Sequence, residues 1–213
     1  MKLNQILTSS ILCFALLFAS CSKSGEKAET KTPEKTEKTD NTSKMSGTMA
    51  LDTDASVVKW KGVMLGIKEH TGNLKFTNGN IVMQDGKITG GSFVVDMNSI
   101  VFTDNNYNEE QTKEGLRGHL SSPDFFDFQN HPTAKFDIIG SDGNDVKGTL
   151  TIRGKNGAAT VTNVKVSKMD DQAMISGTLN FDRKKYGVAF DMPVKEMVIS
   201  DDVALQIELV TKS

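Results

Sequence analysis

Residues 116–136, LRGHLSSPDFFDFQNHPTAKF, hold the one long interruption in a chain otherwise written in strands. Gln111, Lys113, Glu114, Leu116, Arg117 and Leu120 follow a helical period into this stretch. Ser122-Pro123 must end that helix, because the residue before a proline is pushed out of the α region. Adjacent Phe125 and Phe126, followed by Phe128, are too apolar for a solvated loop. Rings of that size are stabilised by burial, so the helix is expected to deliver them as a plug into an apolar space enclosed by the rest of the fold.

On both sides of this plug the hydrophobic period is two. Val58, Trp60 and Gly62 alternate with Lys59 and Lys61; His70, Gly72, Leu74 and Phe76 share one face, as do Phe93, Val95 and Met97. Ala134, Phe136 and Ile138 follow, then Val146, Gly148, Leu150 and Ile152. The pattern ends with Ile175, Gly177, Leu179 and Phe181, and with Val203, Leu205, Ile207 and Leu209. Asn78-Gly79, Asp85-Gly86, Asp142-Gly143 and Asn156-Gly157 read as hairpin turns between these strands. Val161 is out of phase with Val164 and Val166, which predicts a bulge at Thr162-Asn163.

Roughly eight such strands with one short inserted helix describe an all-β fold, either a sandwich or an antiparallel barrel. Gly62, Gly72, Gly90, Gly91, Gly148 and Gly177 lie inside strand patterns. Closing a barrel needs bends of that kind, so an antiparallel eight-stranded barrel is expected. Its interior is either filled by side chains or just wide enough for one small ligand. An apolar lining serves both cases, so the strand pattern alone leaves them open.

The first fifty or so residues obey different rules. Lys2 precedes an apolar run over residues 6–19, the charged and hydrophobic regions of an export signal. Phe18-Ala19-Ser20-Cys21 then resembles a bacterial lipoprotein cleavage box, making residues 1–20 the signal and Cys21 the lipid anchor that carries palmitate-like acyl chains. Cys13 would be removed with the signal, which leaves no pair for an intramolecular disulfide. Ser22, where an aspartate would favour the inner membrane, points to the outer membrane of a bacterial cell envelope. Residues 21–50 are mostly Lys, Glu, Thr, Ser and Gly, too polar to offset the entropy of ordering, and are expected to form a tether to a folded domain at 51–213.

Several functions are disfavoured. A net charge of -2 supplies no basic field for phosphates, so no nucleic-acid partner is expected. His70, His119 and His131 fall on separate elements, and no nucleophile elbow, zinc-protease or Cys-x-x-Cys motif occurs, so no enzyme is expected. A metal cluster of His119, Asp124 and His131 has only their common segment in its favour. Asp124 after Ser122-Pro123 is instead placed to accept local backbone N–H bonds, and Arg153 and Arg183 read as structural.

The order HLSSPDFFDFQNHPTAKF, then GTLTIRG, then DRKKYG resembles the signature of the YceI-like family. It rests on His119, Leu120, Ser122, Asp124, Phe125 and Phe126, on Pro132, Thr133 and Phe136, on residues 150–154, and on Arg183, Tyr186 and Gly187. The resemblance implies a lipocalin-like barrel that holds a polyisoprenoid chain without acting on it chemically. It names Trp60, Leu74, Phe76, Phe93, Phe125, Phe126, Phe136, Ile138, Leu150, Phe181 and Tyr186 as ligand-contacting residues. No cofactor is implied beyond a bound isoprenoid or quinone-like lipid. Partners would be that long-chain lipid and, through the anchor, a membrane, with a homodimer admitted. A ligand-free barrel serving as an interaction or stress-response module is the alternative.

Overall fold

The structure, a computed structural model, describes residues 45–190 and 198–213. The expected signal, Cys21 and nearly all of the expected tether lie outside the described residues. In chain order the elements are β1 (Gly47–Ala50), β2 (Val57–Met64), β3 (Lys68–Gln84), β4 (Lys87–Phe102), α1 (Lys113–Ser121), β5 (Thr133–Asp142), β6 (Asp145–Ile152), β7 (Lys155–Met169), β8 (Gln172–Asp182) and β9 (Asp202–Val210). A 3-10 turn, Arg183–Tyr186, follows β8.

All pairings are antiparallel, and the order β3-β2-β9-β8-β7-β6-β5-β4 returns to β3, closing an eight-stranded barrel. β1 is an additional strand. It pairs with β3 from Gly47↔Met83 to Ala50↔Asn80, on the edge that β2 occupies from Val58↔Leu74 to Met64↔Lys68. Residues 47–50 were expected to belong to the tether; they are a strand because β3 outruns β2 and leaves backbone groups that need partners. Met45, just before β1, is buried and accepts a bond from the Gly86 amide.

Two turn signals prove correct or nearly so. Asp85 and Gly86 both adopt left-handed φ values, 50° and 78°, as a two-residue hairpin requires. The β5–β6 turn falls on Gly143-Asn144, one residue beyond the expected pair. Asn78-Gly79 and Asn156-Gly157 are not turns: the first lies inside β3 at a register shift, the second inside β7. The β6–β7 turn is made by Arg153-Gly154, with φ of 50° and 68°. The expected bulge is present, with a register shift between Thr162 and Lys165 and Asn163 at φ 55°.

Long strands coil around the barrel only if they bend. Gly91 in β4 has φ 135°, and a Cβ there would stand 2.4 Å from the Asn80 carbonyl oxygen, so no other residue fits the bend. Inward side chains fill one end of the barrel completely. Leu51, Met83 and Ala173 are buried there, and β1 helps seal this base. The opposite end is crossed by α1 and by the Phe125–Phe128 segment.

Candidate binding cavity

Above the sealed base the barrel is hollow. A cavity of about 590 Å³ runs from the interior to the mouth, within the range of small-molecule sites. Trp60, Leu74, Phe76 and Phe93 line it from β2, β3 and β4, Ile138 from β5 and Phe181 from β8. Val203, Leu205 and Ile207 of β9 point inward but are only half-buried, because the surface they show faces empty space. Leu116, His119 and Leu120 of α1 close the mouth together with Phe125, Phe126 and Phe128.

The plug expected from sequence is therefore in place. Backbone amides of Phe125 and Asp127 donate to the Ser122 carbonyl at 3.0 and 2.9 Å, and that of Phe126 donates to Leu120 at 3.1 Å. Phe125 is held between rings, 4.5 Å from His119 and 5.0 Å from Phe190. Arg153 pins the loop from the β6–β7 turn, donating to the carbonyls of Phe125 at 2.5 Å, Gly187 at 2.8 Å and Pro123 at 3.1 Å. Asp124, expected to brace this turn, is exposed and accepts no hydrogen bond among the described residues. The brace is Asp127, buried with φ 51°, whose carboxylate takes both bonds from the Asn130 amide.

Of the residues named from sequence, Phe136, Leu150 and Tyr186 stand in the wall rather than on the cavity. The Phe136 ring lies over Gly148, where a Cβ would meet it at 2.5 Å, and Leu150 is buried across the ladder from Phe136. Tyr186 is buried with its ring edge-on to Phe181 at 5.6 Å, its hydroxyl against Gly157. Trp60 lies flat over Gly72, which leaves room for the indole by lacking a Cβ, and its Nε1 is a buried donor without a partner. The His119, Asp124 and His131 cluster is not assembled: His119 faces the cavity, His131 packs beside Gly154, and no metal-binding group of three occurs among the described residues.

Sequence reading missed the polar cluster at the mouth. Asp104, on the segment after β4, accepts the Thr71 amide at 2.9 Å, the Asn106 amide at 2.9 Å and the Tyr107 hydroxyl at 3.0 Å. Its other close neighbour is His70 Nδ1 at 3.1 Å. Burial alone would raise the carboxyl pKa, but these donors outweigh it and hold Asp104 at about 2. Tyr107 is pushed well above the ordinary phenol value by its burial and by the Asp104 anion. His70 and Tyr107 both line the cavity, with rings stacked at 5.0 Å. Asp104 carries no periodic signal, and only the local Asp-x-Asn turn to Asn106 marked it out.

A closed antiparallel barrel around an apolar cavity, with a capped mouth, is the lipocalin-like class of fold. The YceI-like domain model matches residues 49–211, and the chain belongs to that family. Among solved structures, Burkholderia cenocepacia BcnA superposes with a TM-score of 0.62 at 21% identity, covering 76% of this chain and 99% of BcnA. A domain from Saccharophagus degradans, described as polyisoprenoid-binding and implicated in plant cell wall breakdown, gives 0.55 at 14% identity, covering 79% of this chain and 99% of that one. No curated protein matches the chain.

Proposed function

We propose that this barrel binds a polyisoprenoid or similar long-chain amphiphilic lipid and does no chemistry on it, serving lipid transport, storage or a stress response in the bacterial envelope. The observation that carries the reading is the apolar cavity of about 590 Å³ beneath a capped mouth. Each buried CH₂ contributes about 0.8 kcal/mol, so a tail of a few isoprene units supplies roughly micromolar binding before ordering costs. The Saccharophagus degradans neighbour supports the ligand class. A lipid on Cys21 would keep the domain at a membrane, the outer one on the evidence of Ser22.

Delipidated protein tests the carrier reading. A ligand that binds only the native state adds RT ln(1 + [L]/Kd) to stability, so isoprenoids of increasing length should raise the melting temperature up to a preferred length. If no isoprenoid, quinone or fatty acyl compound shifts the melting temperature and none co-purifies, the barrel is a ligand-free interaction module instead. Replacing Cys21 with Ser should release the protein into a soluble envelope fraction. Extraction that still requires detergent would overturn the anchor.

A further inference from the structure

The mouth cluster has one unused valence. Asp104 is ionised, so it accepts and cannot donate; the hydrogen in its 3.1 Å contact with His70 must sit on Nδ1. In the Nδ1–H tautomer that this contact selects, Nε2 is the lone-pair acceptor. Nε2 has no hydrogen-bond partner among the described residues, while the ring is held by Asp104 on one side and stacked on Tyr107. His70 lines the cavity where it meets the mouth.

We propose that His70 Nε2 is the head-group site of this cavity, accepting the hydroxyl hydrogen of a neutral long-chain alcohol or phenol whose tail fills the apolar interior. The inference rests on the carrier reading and deepens it by naming the head group. Charge argues against an anionic head. Asp104 stands directly behind His70, and Glu110 also lines the mouth. Of the cations nearby, Lys68 donates to the Gln111 side chain and Lys113 sits 5.2 Å over the Tyr107 ring. Arg183 also lines the cavity but is paired with Asp201. Although Lys68 meets only a neutral amide in Gln111, the carboxylates of Asp104 and Glu110 stand at the same mouth, a repulsion that an anionic head meets and a neutral hydroxyl avoids. A hydroxyl needs only the lone pair, and a lipid lacking one leaves Nε2 dry and unpaired.

The test compares geranylgeraniol, its methyl ether and the corresponding carboxylic acid on the delipidated full chain. Binding is read from the emission of Trp60, the only tryptophan and a cavity residue. The alcohol should bind roughly tenfold more tightly than the ether, with the acid no tighter than the alcohol. In His70→Phe, which keeps a ring against Tyr107, the alcohol-to-ether ratio should fall to about one. Alcohol and ether binding equally to the wild type would overturn the head-group site and leave the carrier reading intact. Tightest binding by the acid would overturn it in favour of an anion site. Binding by none of the three would overturn the carrier reading and the head-group site with it. Should His70→Phe not fold, the wild-type ratio alone decides.

Discussion

Arg183 is 2% exposed and directs its guanidinium at the carbonyls of Val188, Phe190, Ile199 and Ser200 and at the Asp201 carboxylate. Removing it strands several acceptors out of water, so Arg183→Leu should lose about 3–5 kcal/mol in urea unfolding. Arg183→Lys should recover little, since an ammonium cannot reproduce the planar fork. Asp104 gives a pH signature of definite sign. Its folded carboxyl titrates at about 2 against an ordinary 3.8, so its stabilisation is complete above 3.8 and is lost as pH falls through about 2. That contribution is about 2 kcal/mol, and Asp104→Asn should flatten the acid limb of the stability curve over this window. The two residues differ in how they appear in the sequence. Arg183 belongs to a recognisable run with Tyr186 and Gly187, whereas Asp104 draws its role from Thr71 and His70, which lie more than thirty residues earlier and are brought to it by the long β3–β4 hairpin.

Among the elements, α1 is the least anchored. None of its side chains is fully buried. Its start is capped by Thr112 Oγ1, which accepts the Gly115 amide at 3.0 Å, and Arg117 ties it to the Ile100 and Asn98 carbonyls at 2.8 and 2.7 Å. Amides of α1 should therefore exchange with deuterium well before those of β6 to β9. Thr112→Ala should speed that exchange by removing about 1 kcal/mol of capping, with the strands unaffected; equal acceleration in the strands would mean the helix unfolds only with the barrel. The helix and strands were legible because proline punctuation and period two are local. Turn placement was not, since the glycines after Asn78 and Asn156 answer to distant rings. A Cβ at Gly79 would lie 2.6 Å from the Phe93 ring, and one at Gly157 would lie 2.6 Å from the Tyr186 hydroxyl. Conversely, the Arg153-Gly154 turn asks a left-handed conformation of arginine, which turn chemistry alone does not suggest.

At the scale of the whole molecule, one barrel carries two interiors. Ala173 is 0% exposed in the packed base, whereas Leu205 faces the cavity half-buried, a distinction that an alternating apolar pattern cannot express. A larger side chain separates the two. Ala173→Trp should cost about 1–3 kcal/mol by overpacking, or more. Leu205→Trp should keep stability within about 1 kcal/mol and abolish the melting-temperature rise given by isoprenoids; a large loss of stability there would mean the cavity is not free to accept volume. The connection from β4 to β5 has a wider consequence. These strands lie side by side from Gly91↔Ile138 to Asp96↔Thr133, so a tight turn near that end would complete the ladder. The chain instead makes a detour over residues 103–132, carrying α1, the aromatic plug, Asp104 and Tyr107. No rung between barrel strands depends on that detour. A lineage can therefore lengthen, reshape or exchange it without shifting the register of the wall, so that what the vessel admits can change while the pairing of its staves is inherited intact.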